Sequence, residues 1–264
     1  MNETEILFTE ILNCDRFYLY ENRELILKKD RSSLLAAILK RRMYGQPIQY
    51  ILGKTEFMGL EFKLTPYVFI PRQETEILVE TALNYLKRIK NKEIRILDLG
   101  TGSGCIGISL AKFFPQAEID ATDISDEALK VAKENAILNN VEIDFIRADL
   151  FNSDCLRFKR YRLIVSNPPY IATKEIDTLA SEIKYEPRIA LDGGKDGLDF
   201  YRRIIKDASD YLEEDSFLIM EMGFNQRPAI EAIFNGLKDI EVIKIVKDYN
   251  NIERVIVAKK VKNG

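Results

Sequence analysis

The apolar positions along the chain change their spacing twice. In the first 50 residues they recur at helical intervals, as from Leu34 to Met43, and predict a small all-helical unit. Residues 56–70 alternate apolar and polar side chains like two strands interrupted at Thr65-Pro66, which predicts a β-hairpin. From Ile94 onward, short apolar runs alternate with helical patterns. This order is typical of a parallel sheet covered by helices on both faces.

Seven runs in the later part of the chain predict the strands of one sheet. Residues 247–253 separate the last two runs and are too few for a crossover helix, so we expect an antiparallel hairpin there. We therefore predict an α/β, Rossmann-like domain with a seven-stranded sheet over residues 73–264. A helical domain over 1–50 and a β-hairpin linker over 51–72 precede it. The predicted strands are Ile94–Leu99, Glu118–Thr122, Val141–Ile146, Arg162–Val165, Phe217–Glu221, Val242–Val246 and Arg254–Ala258.

Composition narrows the possible chemistry. The net charge of −3 over 264 residues gives no overall positive field that would favour nucleic acid. The acidic start Met1–Glu5 lacks the basic region of a signal peptide, and no apolar run approaches the ~18 residues of a membrane span. We therefore expect a cytoplasmic protein. Cys14, Cys105 and Cys155 are far apart and predict free thiols, and histidine is absent, so we expect no metal site and no histidine base.

The stretch Asn167-Pro168-Pro169-Tyr170 directly follows an apolar strand pattern. It should lie at the carboxyl end of that strand, where open α/β sheets bind their ligands. A residue before proline is held in extended geometry, and proline has no N–H to donate. Asn167 and Pro168 therefore form a rigid pair of oxygen acceptors, followed by the aromatic ring of Tyr170. We assign catalytic roles to Asn167, Pro168 and Tyr170.

A glycine-rich turn, Gly100-Thr101-Gly102-Ser103-Gly104, follows the first predicted strand of the sheet. Such a turn lets the backbone approach a nucleotide-like ligand. The spacing Gly102-x-Gly104-x-x-Gly107 matches a dinucleotide fingerprint and leaves a nicotinamide-dependent oxidoreductase open. The spacing Gly100-x-Gly102-x-Gly104 after Asp98 resembles motif I of S-adenosylmethionine-dependent methyltransferases. Both interpretations share one fold, so the turn alone leaves the cofactor undecided.

Acidic residues at the next two strand ends suit a nucleoside ligand. Asp123 should end the second strand, where its carboxylate can accept hydrogen bonds from both ribose hydroxyls. Asp149 follows the third strand and is placed to accept a hydrogen bond from an adenine amino group. Leu150 or Phe151 would then cover a face of the adenine.

Longer stretches resemble one enzyme family. Asn167–Tyr170 resembles motif IV of methyltransferases that modify the nitrogen of a planar amino group, either adenine N6 or glutamine N5. The run Glu186–Leu198, of the form EPxxALxGGxDGL, resembles the bacterial protein-(glutamine-N5) methyltransferases known as PrmC or HemK, which modify peptide chain release factors. Gly45–Tyr50, Phe57 and Ile70–Glu76 are similar to the same family. The resemblance therefore covers nearly the whole chain.

This resemblance implies a class I methyltransferase fold, S-adenosylmethionine as methyl donor, S-adenosylhomocysteine as product, and no metal. It implies that Gly100 through Gly104, Asp123 and Asn167 bind the cofactor. It also implies that Asn167 through Tyr170 bind the glutamine of the GGQ tripeptide in release factors. The helical domain and the linker are then candidates for recognising the release factor. We expect a monomer that requires neither nucleic acid nor a membrane.

Two other substrates fit the same tetrapeptide. An adenine-N6 methyltransferase of nucleic acid would need a broad basic face, whereas residues 1–72 hold 11 Lys or Arg against 9 Asp or Glu. A glutamine methyltransferase acting on a ribosomal protein shares the tetrapeptide as well. Leu150 stands where some members of the resembled family carry tryptophan. We therefore expect the adenine platform to be thinner, or to shift to Phe151.

Overall fold

Four helices form the first part of the chain as far as the structure describes it. The structure, a computed structural model, describes residues 3–22, 24–89 and 93–261, so the outer ends of the predicted domains, 1–2 and 262–264, lie outside the described residues. Helices α1, α3 and α4 share an apolar cluster, which confirms the predicted helical character. The domain limits at residues 50 and 72 stay predictions. The helices are α1 (Glu3–Leu12), α2 (Arg16–Glu21), α3 (Lys29–Met43) and α4 (Ile48–Leu52).

A short hairpin follows α4. Strands β1 (Lys54–Phe57) and β2 (Leu60–Lys63) pair antiparallel and are joined by Met58-Gly59. The two turn residues have φ values of 52° and 72°, and positive φ at both positions is the geometry of a tight two-residue hairpin loop. A hairpin is therefore present within the predicted linker, although its strands and its turn differ from the predicted ones.

The predicted interruption of this hairpin at Thr65-Pro66 is wrong. Residues 67–70 form a turn and an irregular stretch instead of a second strand. Val68 and Ile70 are nevertheless buried, and the Tyr50 hydroxyl donates to the Val68 carbonyl at 2.6 Å. The alternating pattern arises because every second side chain of this stretch is buried against neighbouring elements. An irregular segment can bury its side chains in this way as well as a strand can.

Seven strands form the large sheet, as predicted, with ends shifted by a few residues. Their order across the sheet is β5-β4-β3-β6-β7-β9-β8. The strands from β3 to β7 run parallel, whereas β9 is antiparallel to both β7 and β8, so the predicted final hairpin is confirmed. The strands are β3 (Ile94–Leu99), β4 (Ala117–Asp123), β5 (Asp144–Arg147), β6 (Tyr161–Ser166), β7 (Leu212–Glu221), β8 (Ile240–Lys247) and β9 (Glu253–Lys260).

Helices cover both faces of this sheet, because successive residues of its central strands point in opposite directions. Ile96 packs with the helices of one face and Leu97 with those of the other, and both side chains are fully buried. Three short 3-10 turns, at 173–178, 183–185 and 188–190, link β6 to the next helix. The helices are α5 (Gln73–Leu86), α6 (Cys105–Phe113) and α7 (Asp126–Asn139) on one face, and α8 (Asp199–Tyr211) and α9 (Arg227–Phe234) on the other.

The order of strands reverses between β3 and β6. Chain order runs outward from β3 through β4 to β5, and in the other direction from β6 to β7. A crevice opens at such a reversal beyond the carboxyl ends of the strands. The glycine turn after β3 and the Asn167–Tyr170 stretch after β6 both lie at this point. Among the described helices, none is long and apolar enough to cross a membrane.

Asn135 ties the hairpin to the large sheet domain. Its side chain lies on α7 and is fully buried. Its Oδ1 accepts from the Lys63 backbone N–H at 2.7 Å, and its Nδ2 donates to the Lys63 carbonyl at 3.1 Å and to the Ser103 carbonyl at 2.9 Å. One amide group therefore holds the edge of β2 and the glycine turn together.

We expect Asn135→Ala to lower the free energy of unfolding by about 1–3 kcal/mol, because it leaves the backbone groups of Lys63 and the buried carbonyl of Ser103 without their partner. Urea denaturation measures this loss. Lys133→Ala, at an exposed position on the same helix, is the matched control and should unfold like the wild type. Equal unfolding midpoints for the two variants would contradict the proposed tether.

Candidate active site

A cleft of about 270 Å³ opens at the carboxyl ends of β3, β4 and β6. Seven separate stretches of the chain form its wall, and four of them contribute every predicted site residue except Gly104. The predicted residues that line it are Gly100, Thr101, Gly102, Ser103, Asp123, Asp149, Leu150, Asn167, Pro168, Pro169 and Tyr170.

Two side chains that the sequence reasoning missed hold Asn167 in place. The Asn167 Nδ2 donates to Thr75 Oγ1 at 3.1 Å, and the Thr75 hydroxyl donates to Glu221 Oε2 at 2.7 Å. Thr75 lies in the first turn of α5, Glu221 ends β7, and both are buried. Burial raises the pKa of Glu221 to about 7. The sequence did contain a signal for Glu221. It ends an apolar strand pattern, and the carboxyl ends of such strands form the ligand-binding edge of the sheet.

Tyr170 lies against the same buried carboxyl group. Its hydroxyl is 3.5 Å from Glu221 Oε1, and its carbonyl accepts from Gln226 Nε2 at 2.9 Å. Burial raises the pKa of the Tyr170 phenol well above its usual value, so the side chain is neutral. The ring therefore offers the cleft an uncharged aromatic surface with a restricted position.

The Glu186–Leu198 run supports the Asn167–Tyr170 stretch directly. The Gly193 N–H donates to the Ile171 carbonyl at 2.8 Å. A Cβ added at Gly193 would lie 2.7 Å from the Pro169 carbonyl oxygen, too close for any side chain. Glycine is required at this position because the two backbone segments approach each other so closely.

Asp98 is buried beneath the glycine turn. Its Oδ2 accepts from the Thr101 hydroxyl at 2.6 Å and from the Gly107 N–H at 3.0 Å, whereas Oδ1 is buried without a hydrogen-bond partner among the described residues. Burial raises the pKa of Asp98 to about 6. This carboxyl group organises the turn from below.

Gly104 does not line the cleft. Its N–H donates to the Thr101 carbonyl at 2.8 Å, and a Cβ added to it would lie 3.2 Å from the Ala132 Cβ. The absence of a side chain at Gly104 thus lets α6 begin close against α7. The structure puts this residue in helix packing, and its predicted contact with a cofactor stays a prediction.

The two predicted nucleoside-binding carboxylates lie on the cleft wall with different partners. Asp123 accepts from the backbone N–H groups of Gly102 and Ser125, each at 2.9 Å, and burial raises its pKa. Asp149 forms an ion pair with Arg203 through Oδ2 at 2.7 Å, a contact that sequence reasoning did not anticipate. Asp123 is held rigidly by backbone groups, whereas Asp149 is half exposed.

Leu150 and Phe151 take opposite roles. Leu150 lines the cleft with a φ of 55°, which turns it away from the direction of the preceding strand. Phe151 is buried and stacks on Tyr211 with ring centroids 4.5 Å apart. Of the two alternatives for an adenine platform, the structure favours Leu150, because the ring of Phe151 is packed in the apolar core.

A segment of the linker passes over the cleft and is held by Glu186. Phe69 and Pro71 line the cleft on this side. The buried Glu186 accepts from the Ile70 N–H at 3.0 Å and forms a short ion pair with Arg72. The family-like runs around residues 70–76 and 186–198 therefore meet in space and build one wall.

Comparison with known proteins identifies the family. The PrmC N-terminal domain matches residues 1–53, and the Methyltransferase small domain matches residues 73–195. A release factor glutamine methyltransferase of Thermodesulfovibrio yellowstonii is 40% identical over 268 residues, covering 100% of this chain and 94% of that protein. Its counterpart in Fusobacterium nucleatum is 41% identical over 261 residues, covering 98% and 73%. The chain belongs to the release factor glutamine methyltransferase family.

A solved structure confirms the fold class of this family member. A methyltransferase from Pyrococcus furiosus superimposes with a TM-score of 0.57 at 18% identity, covering 85% of this chain and 98% of that one. At that identity the likeness concerns the fold alone. Membership of a release factor glutamine methyltransferase family decides against the nicotinamide-dependent oxidoreductase that the glycine spacing left open.

The residues of the cleft fit S-adenosylmethionine, the methyl donor that a methyltransferase domain implies. A Cβ added at Gly100 or Gly102 would meet no atom within 4 Å, so the turn leaves open space above its backbone. The Asp123 carboxylate and the Leu150 side chain border this space. Among the described residues, no group of three or more His, Cys, Asp or Glu side chains could hold a metal ion.

The raised pKa of Asp98 predicts a pH dependence of stability. The folded pKa, about 6, exceeds the ordinary value of 3.8, so protonation favours the folded state. This stabilisation is complete below the ordinary pKa and is lost as pH rises through the folded pKa. Between about pH 4 and pH 6, Asp98→Asn should therefore show a weaker fall in stability than the wild type.

Urea denaturation across this pH range measures the difference. Asp177→Asn, at an exposed position, is the control and should follow the wild-type curve. Parallel curves for Asp98→Asn and the wild type would show that Asp98 does not titrate in this range.

Proposed function

We propose that this protein transfers a methyl group from S-adenosylmethionine to the side-chain amide nitrogen, N5, of the glutamine in the GGQ motif of peptide chain release factors. The observation that carries the proposal is the position of Asn167 and Pro168, rigid oxygen acceptors on the wall of a cleft shared with the glycine turn. The names of the relatives, which are release factor glutamine methyltransferases, support the choice of substrate.

An amide nitrogen calls for acceptors instead of a base. Its lone pair is delocalised, and no ordinary side chain removes its proton near neutral pH. We propose that the Asn167 side-chain oxygen and the Pro168 carbonyl each accept one N–H of the glutamine amide and orient its lone pair. Positive charge develops on this nitrogen during transfer, and the two oxygens stabilise it. The proton leaves afterwards, when the nitrogen is far more acidic.

The remaining predicted residues receive binding roles in this proposal. Gly100 through Ser103 would hold the cofactor with backbone groups, and Asp123 would accept from its ribose hydroxyls. Asp149 would bind the adenine amino group and Leu150 would cover one adenine face. S-adenosylmethionine supplies a methyl group on a positively charged sulfur. Pro169 and Tyr170 would border the glutamine side chain, and Tyr170 presents the neutral ring described above.

The first test is labelling of the substrate. With S-adenosylmethionine labelled in its methyl group, the purified protein should label a release factor, because GGQ supplies the amide nitrogen. A release factor with GGA in place of GGQ should stay unlabelled. The assay contains no nucleic acid and therefore also tests whether any is required. Equal labelling of both release factors would refute the assignment. Stronger labelling of DNA or of a ribosomal protein, each offered alone in a parallel reaction, would refute it as well.

The second test concerns Asn167. We expect Asn167→Ala to reduce kcat roughly 10²–10³-fold, the usual cost of losing one preorganised polar group, with a smaller effect on cofactor affinity. Steady-state kinetics and calorimetric titration with S-adenosylhomocysteine separate these effects. Asn250→Ala, at an exposed position far along the chain, is the matched control. A loss of cofactor affinity with normal kcat would count against the role of Asn167 as an acceptor.

A further inference from the structure

A chain of three hydrogen-bonding side chains runs from the cleft into the protein. It begins at Asn167 on the cleft wall, passes through Thr75 and ends at Glu221. Thr75 lines the cleft beside Asn167 although it is only 1% exposed, whereas Glu221 is 2% exposed and is not among the residues that line the cleft. Burying a carboxyl group lowers the stability of the folded state, so a buried carboxyl group calls for a reason. The position of Glu221 at the end of these three hydrogen-bonded side chains provides one.

We propose that Thr75 and Glu221 are positioning residues that set the direction of hydrogen bonding at Asn167, so that its side-chain oxygen faces the substrate. The inference rests on the proposed function and concerns a step that the function itself leaves open. An asparagine carboxamide has an acceptor end and a donor end of nearly equal shape. Only the acceptor end is useful against an N–H of a glutamine amide.

The direction of hydrogen bonding along these three side chains follows from counting their protons. An ionised carboxylate accepts hydrogen bonds and donates none, so Glu221 compels the Thr75 hydroxyl to donate toward it. The hydroxyl has one proton, which this bond uses, and toward Asn167 it can then only accept. The Asn167 NH₂ group must therefore face Thr75. The carboxamide oxygen of Asn167 then lies on the side away from Thr75, where it can accept a hydrogen bond from the substrate.

Protonation of Glu221 permits the opposite arrangement. A protonated Oε2 can donate to Thr75, whose hydroxyl can then donate to the Asn167 oxygen. Rotation of the carboxamide by half a turn would present its NH₂ group to the N–H groups of the substrate, and two donors form no bond. The proposal therefore predicts that the active form contains ionised Glu221.

The surroundings of Glu221 allow it to ionise near neutral pH. The Thr75 hydroxyl, the charge of Arg254 on β9 and the Tyr170 hydroxyl lower its pKa, whereas burial and the charge of Glu74 on α5 raise it. The other titratable neighbours stay neutral: burial raises the pKa of Tyr201 on α8, and it raises the pKa of Cys105 on α6 to about 12. Among these groups, Glu221 is thus the one that changes charge near pH 7. Asp98, whose pKa is about 6, bonds to Thr101 and Gly107 beneath the glycine turn.

The test compares variants of the full-length protein in the release-factor labelling assay. Thr75→Val removes the hydroxyl at nearly constant shape, and we expect kcat to fall about 10- to 100-fold, as for other partners that orient an active-site ligand. Thr75→Ser keeps the hydroxyl and should restore most of the activity. Thr81→Val, at another buried threonine on α5, is the matched control and should retain wild-type kcat.

Two further readouts separate orientation from structural damage. The affinity for S-adenosylhomocysteine and the thermal unfolding midpoint should change little in Thr75→Val and Glu221→Gln. The dependence of kcat/KM on pH reports groups of the free enzyme. For the wild type it should fall as pH drops below the pKa of Glu221, about 7, and for Glu221→Gln this fall should be absent.

The outcomes are distinct. Wild-type kcat in Thr75→Val, or an unchanged fall at low pH in Glu221→Gln, would overturn the positioning role while leaving the proposed function intact. If Thr75→Val does not fold, the pH profile of Glu221→Gln and the activity of Thr75→Ser decide alone. A wild-type protein that labels no release factor would overturn the proposed function, and this inference with it.

Discussion

The parallel pairing of β3 with β6 is the constraint on which the rest of the site depends. Leu99 lies opposite Ser166 in this register, and the Ser166 hydroxyl donates to the Leu99 carbonyl at 2.8 Å. Both strands therefore end at the same level, and the next residues of each emerge into one cleft. Methyl transfer requires donor and acceptor to meet in a narrow range of geometry. The register of β3 and β6 provides this proximity through the backbone hydrogen bonds of the sheet. The loops therefore do not have to bring the two stretches together.

Two carboxyl groups buried at the carboxyl edge of the sheet lower the stability of the fold next to the cleft. Asp98 and Glu221 are each fully buried and have raised pKa values, the first below the glycine turn and the second behind Asn167. Such groups disfavour the folded state when they ionise. Perturbed carboxyl groups gather at functional sites in many proteins, and here both lie directly beneath the cleft.

The outer wall of the cleft connects the Asn167–Tyr170 stretch to the helical part of the chain. Glu186 holds the linker through the Ile70 N–H, and the neighbouring Tyr185 hydroxyl donates to the Tyr44 carbonyl at 2.9 Å. Arg42 on α3 pairs with Glu182 at 2.5 Å. A partner that docks on the helices would therefore act on the same segment that supports the Asn167–Tyr170 stretch.

The local sequence pattern was sufficient to predict the seven strands, the hairpin of the last two strands, and the positions of the glycine turn and the Asn167–Tyr170 stretch. Hydrophobic periodicity and proline geometry depend only on residues that are close together in the sequence. The pattern failed at Thr65-Pro66, where burial produces the same alternation as a strand, and it left the choice between Leu150 and Phe151 open. Thr75 and Glu221 are 146 residues apart. Only the tertiary structure brings them behind Asn167, since a hydrogen bond between distant positions leaves no periodic trace in the sequence.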